Sequence, residues 1–181
     1  MSRESVGNHR VPANDEQIFL RRVRNHAEFR STLVELSLSN DLQSFDKNVD
    51  DVTRCWFDLA REHLDDARSA NRARRMRAVY SRAYYAVYNA SKAIRYRVNG
   101  LVSLKGDDHQ KAGDLPDDFP NVASWSTRIP EMYEHRLRAD YDNWVNTLSE
   151  HTLKPSECVR YATDFLRECE QYIQTKFGAI L

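Results

Sequence analysis

Apolar residues recur at intervals of three and four along much of this chain, and those intervals predict helices. The clearest run holds Val52, Trp56, Leu59, Ala60, His63, Leu64 and Ala67 and predicts a helix over 50–70. A second spans 74–98, with Gly100 placed to end it as a left-handed C-cap. Met132, Tyr133, Leu137, Tyr141, Trp144, Val145 and Leu148 predict a third helix over 131–148. Pro155 opens a fourth, which runs to about Phe177 and buries Val159, Ala162, Phe165, Leu166, Cys169, Tyr172 and Ile173. Upstream the pattern is looser. Phe29, Leu33 and Leu36 suit a helix near 26–37, whereas 16–24 fits a helix or a short strand equally well.

Polar stretches separate these runs. Residues 1–15 read as a loose tail and 37–51 (SLSNDLQSFDKNVDD) as a loop. Residues 101–130 hold Gly106, Gly113, Pro116, Pro120 and Pro130 and read as a long irregular connection, a kind of segment that is commonly functional or mobile. The fold class is therefore all-α: four principal helices over 50–178, preceded by an N-terminal extension over 1–49.

The stretch 77–100 carries more information than its period. Ala83, Ala86, Ala90 and Ala93 alternate with Tyr80, Tyr84 and Tyr88, so a neighbouring helix can approach closely, and Arg77, Arg82, Arg95 and Arg97 are expected to form a positive rim. Tyr84 and Tyr85 point about 100° apart, which places one in the core and the other toward a groove.

Composition adds limits. The 181 residues suit one domain with an appendage. Lysine plus arginine and aspartate plus glutamate number 27 each, so net charge gives no argument for a nucleic-acid partner. Arginine dominates the bases; that suits phosphate recognition and equally suits a GC-rich codon bias. No apolar run is long enough for a membrane helix, and the N-terminus lacks an apolar signal core, so a cytoplasmic location is expected. Cys55, Cys158 and Cys169 have neither metal-ligand nor disulfide-framework spacing. Asp107, Asp108 and His109 are consecutive, and consecutive residues rarely converge on one ion. Neither a metal nor a cofactor is expected.

Four segments then line up in order: Trp56–Ala67 (WFDLAREHLDDA), Ser81–Ala93 (SRAYYAVYNASKA), a loop histidine at His109, and Arg136–Tyr141 (RLRADY). In this order they resemble the HEPN superfamily, in the branch with YYA in one helix and R-x-x-A-D-Y in the next. The resemblance covers about residues 50–177. It implies an up-and-down bundle of four to five helices that pairs into a homodimer. It also implies a role in prokaryotic defence or toxin–antitoxin systems, either as a metal-independent endoribonuclease or as a catalytically silent module. A silent module would bind a nucleotidyltransferase-like protein or a larger defence protein.

Catalytic members of that superfamily carry R-x(4–6)-H, because 2′-hydroxyl attack on a phosphodiester needs a group that titrates near neutrality and a fixed cation. Here the family register puts Arg136 in the arginine position, followed by Asp140 and Tyr141 with no histidine at 141–143. A literal match occurs just upstream, at Arg128 and His135. His109, in GDDHQKAG, is the best remaining acid–base group. The candidate catalytic set is therefore Arg136, Asp140, Tyr141, His109, His135 and Arg128, with Arg77, Arg82, Tyr85 and Lys92 as RNA or nucleotide contacts. Arg136 and Asp140, four apart, equally suit a plain intrahelical ion pair.

Overall fold

The computed structural model of the protein describes residues 25–100, 106–142 and 152–178. Among them are five α-helices and no strand: α1 (His26–Glu35), α2 (Ser39–Arg72), α3 (Met76–Asn99), α4 (Val122–Tyr141) and α5 (Pro155–Phe177), with a 3₁₀ turn over Gly106–Lys111. The chain is an all-α bundle. No helix among the described residues is long and apolar enough to cross a membrane.

Helix α3 sits at the centre, packed against α2, α4 and α5. Ala83, Ala86, Ala90 and Ala93 are fully buried, as the small-residue pattern requires, with Phe57 and Ala60 of α2 and Phe165, Cys169 and Ile173 of α5 in the same core. Tyr84 is fully buried whereas Tyr85 is only partly so, which is the divergence their spacing demands. The three-residue link Ala73–Arg75 folds α3 back along α2; Ala73 and Arg75 donate backbone hydrogen bonds to the Ser69 and Ala70 carbonyls. On its outer face α2 repeats one ion pair every seven residues: Asp51–Arg54, Asp58–Arg61 and Asp65–Arg68. Each such exposed pair is worth only about 0.2–0.5 kcal/mol, so the buried stripe and not the charge pattern holds α2 in place.

Three expectations need correction. The segment 37–51 is no loop, because α2 begins at Ser39 and runs unbroken through residue 50. Beneath its Ser, Asn and Asp residues, Leu42, Phe45, Val49 and Val52 keep helical spacing and form a second small core with Leu33 and Tyr96. Helix α4 starts at Val122, nine residues earlier than expected, and takes Pro130 into its interior. An internal proline costs a helix about 3 kcal/mol; here Trp125, Ile129 and Met132 are buried on either side of it and offset that loss. Finally, Arg95 and Arg97 belong to no open rim: Arg95 is buried against Asp108, and Arg97 pairs with Asp50 and lies over the Phe177 ring. The ambiguous segment 16–24 and the expected stripe residues Trp144, Val145 and Leu148 lie outside the described residues.

Gly100 ends α3 at φ 68°, with its N–H on the Tyr96 carbonyl and its own carbonyl taking the His26 N–H at 2.8 Å. A Cβ there would lie 2.8 Å from the Ala27 nitrogen, whereas Gly178, at φ 65°, has nothing within 4 Å. Both alanine variants bear the left-handed penalty of roughly 1–2 kcal/mol. Gly100→Ala also pushes α1 off the bundle. Its urea midpoint is therefore expected to fall clearly further than that of Gly178→Ala.

Candidate functional site

Helix α3 presents Tyr85 toward α4, and Arg136 of α4 meets it. The Arg136 guanidinium donates to the Tyr85 hydroxyl at 2.6 Å, and its Nε lies 3.0 Å from Asp140 Oδ2, one turn along the same helix. That second contact is ionic: the Nε–H is not aligned for a hydrogen bond. Arg136 is 11% exposed, so the pair is not merely a surface ion pair. Burial works against its charge, but Tyr85 and Asp140 overcome this and hold its pKa above the ordinary arginine value. Its guanidinium also lies 5.2 Å from the Tyr141 ring, which is 69% exposed at the end of α4. Ser81 of α3 reaches Asp140 Oδ2 at 3.4 Å.

His109 comes from the 3₁₀ turn, which is anchored from below. Asp108, with no exposed surface, accepts two hydrogen bonds from Arg95, at 2.9 and 2.8 Å. Burial opposes its ionisation, but Arg95 and Lys92 overcome that and hold the carboxyl below its usual range. Ser91 donates to the Ala112 carbonyl at 2.6 Å and fixes the far end of the turn. The His109 ring then stacks on Tyr88 at 4.3 Å and lies nearly parallel to Tyr133, with Nδ1 2.9 Å from the Tyr84 hydroxyl. The Tyr85 ring is 6.1 Å away. Burial lowers the His109 pKa, and the Arg136 charge lowers it further, which favours the uncharged ring.

Tyr85, Arg136, Asp140, Tyr141 and His109 thus meet in one place. Arg128 and His135 do not join them. Arg128 lies inside α4, with its guanidinium over the Trp125 and Tyr161 rings. His135 is buried on another face, stacked on Tyr80 and 3.2 Å from the Thr152 hydroxyl. The expected RNA contacts divide as well. Arg77 donates to the Ala139 and Asp142 carbonyls and so ties down the end of α4 beside Tyr141. Lys92 is 12% exposed, over the Trp56 and Tyr88 rings and 4.0 Å from Asp108, a poor position for reaching a phosphate. Arg82 is open to solvent and contacts His63 Nδ1 at 3.3 Å.

Three residues that matter here escaped the sequence reading. His63 was placed in an apolar stripe; a lone histidine in that stripe was the available signal, and its ring lies 5.5 Å from Tyr85. Arg95 and Asp108 carried no signal, because nothing in their spacing says that they pair. Cys158 and Cys169 add no nucleophile: both are buried, and burial pushes the Cys158 thiol up to about 12 and raises that of Cys169 as well.

The arrangement combines a fixed cation, an imidazole and several phenols. It also implies a pH response. Burial lowers the pKa of His26, His63, His109 and His135 below 6.5 in the folded state. The unfolded chain then binds protons first as pH falls, so these groups leave stability intact above about 6.5 and erode it below. The melting temperature is expected to hold between pH 8 and 7 and to drop progressively toward pH 5.

The chain is similar to a UPF0332 protein of Thermotoga maritima, with 26% identity over 131 residues, a span covering 68% of this chain and 92% of that protein. No family model and no solved structure matches it.

Proposed function

We propose that this chain is a HEPN-like protein of a prokaryotic defence or toxin–antitoxin system that acts on RNA as a homodimer, through the site built on Tyr85, His109 and Arg136. The observation that carries this reading is the largely buried Arg136, held by Tyr85 and Asp140, with the His109 ring 6.1 Å from that same Tyr85. A cation fixed before the ligand arrives stabilises the charge that develops on a phosphorane, and a neutral imidazole accepts or returns the proton. Such chemistry runs on side chains alone, so cleavage is expected to persist in chelator. The unit assigned to this activity is residues 50–178, with 1–49 as its extension and the cytoplasm as its location.

The test is cleavage of single-stranded RNA in EDTA by the wild type, His109→Ala and His135→Ala. His109→Ala is expected to lose most of the activity and His135→Ala to keep it wherever it stays folded. Equal cleavage by all three would point to another site or to contamination.

A second reading has its own support. Phe29, Val34, Leu36 and Leu38 are exposed on and just after α1, and position 141 holds tyrosine where nuclease members have histidine. A silent module that binds a nucleotidyltransferase-like or larger defence protein fits both facts. It predicts that no variant cleaves RNA and that Leu36→Asp weakens partner capture.

A further inference from the structure

We propose that His63 and Arg82 belong to this site as well, so that a backbone phosphate of RNA sits among His63, Tyr85, His109 and Arg136. The inference rests on the RNA reading above and deepens it. Both imidazoles flank the same phenol, with ring centroids 5.5 Å (His63) and 6.1 Å (His109) from Tyr85. The contacts at their Nδ1 atoms fix where each neutral ring carries its proton.

An arginine only donates, so the 3.3 Å contact with Arg82 makes His63 Nδ1 the acceptor and leaves the proton on Nε2. The Tyr84 hydroxyl is fully buried, and among the described residues its one hydrogen bond goes to His109 Nδ1 at 2.9 Å. A buried hydroxyl with a single acceptor in reach donates to it, which places the His109 proton on Nε2 too. Both rings thus carry an Nε2–H donor beside one phenol, Arg136 donates to that phenol and Arg82 holds His63, while Asp140 and Asp66 offset only part of the arginine charge. An array of donors suits an anion and repels a metal ion.

The charges facing each ring give the array a pH signature. Around His63 stand Arg82, Asp66, Glu62 and Tyr85; around His109 stand Arg136, Asp108, Lys92 and the phenols of Tyr84, Tyr88 and Tyr133. In the protein alone, burial lowers both pKa values and the adjacent arginine lowers each further. A bound phosphate supplies the opposite charge and raises both. Binding therefore takes up protons and tightens as pH falls from 8 to 6.

The experiment is a ¹⁵N-histidine NMR titration of the full chain, free and with a short single-stranded oligoribonucleotide, paired with affinity measurements on His63→Gln. On binding, the His63 and His109 pKa values are expected to rise together while those of His26 and His135 stay put. His63→Gln is expected to weaken binding about tenfold at pH 6, the loss of one charge-assisted hydrogen bond, and less at pH 8. Unchanged His26 and His135 resonances show that this variant folds. A shift at His109 without one at His63, or wild-type affinity in His63→Gln, overturns the inference and leaves the RNA reading standing. If neither histidine responds and no RNA binds, that reading falls and takes the inference with it.

Discussion

Replacing Arg95 with methionine is expected to destabilise the protein by about 3–5 kcal/mol, the cost of stranding a buried charge. Asp108 has no exposed surface, and its oxygens accept both Arg95 hydrogen bonds, so nothing else in reach replaces them fully; the Lys92 ammonium stays 4.0 Å away. For a chain of this size the melting temperature falls on the order of 10 °C. The double variant Arg95→Met/Asp108→Leu is expected to recover much of that loss, because an apolar pair leaves no orphaned charge. Calorimetry on the two single variants and the double measures the coupling directly. The same pair fixes the turn that carries His109. If the site binds RNA as proposed, the double variant is expected to fold well and still lose that affinity, which separates stability from site geometry.

The second large effect falls on turnover. If the site cleaves RNA, Arg136→Ala is expected to lower the rate by roughly 10²–10³-fold, the scale seen when one fixed donor is removed from a developing oxyanion. Arg136→Lys is expected to restore little of it. A lysine ammonium is a point charge on a flexible stem, whereas Arg136 uses separate nitrogens for the Tyr85 hydroxyl and the Asp140 carboxylate. Tyr85→Phe keeps the cation and removes only its anchor, so a smaller loss of about tenfold is expected. Single-turnover cleavage at saturating protein separates these effects from binding. Equal rates in Arg136→Ala and wild type would remove Arg136 from the chemistry.

How much of this was legible in the residues differs by element. The helices at 26, 76 and 155 were readable because each buried stripe has an edge marked by a polar run, Gly100 or Pro155. The start of α2 was not, since a Ser/Asn/Asp-rich surface masks the sparse stripe Leu42, Phe45, Val49 and Val52. The start of α4 was hidden by Pro130: local propensity argues for a helix boundary there, and burial of Trp125 and Ile129 overrides it. At the site, Arg136 and Asp140 were visible as an i, i+4 pair, and the divergence of Tyr84 and Tyr85 follows from helix geometry alone. The Arg136–Tyr85 bond, the Arg95–Asp108 clamp and the place of His63 were not visible, because each joins elements whose mutual approach no local period encodes.

The central claim is that Arg136 is a ligand-facing cation and not simply a brace between helices. Fluorescence anisotropy of a single-stranded oligoribonucleotide with wild type and Arg136→Gln, over a series of salt concentrations, tests it most directly. The account predicts salt-sensitive binding by wild type, at least tenfold weaker binding by Arg136→Gln, and closely similar melting curves for the two. Equal affinity in a folded Arg136→Gln, or a melting temperature that collapses while affinity per folded molecule is kept, would contradict it.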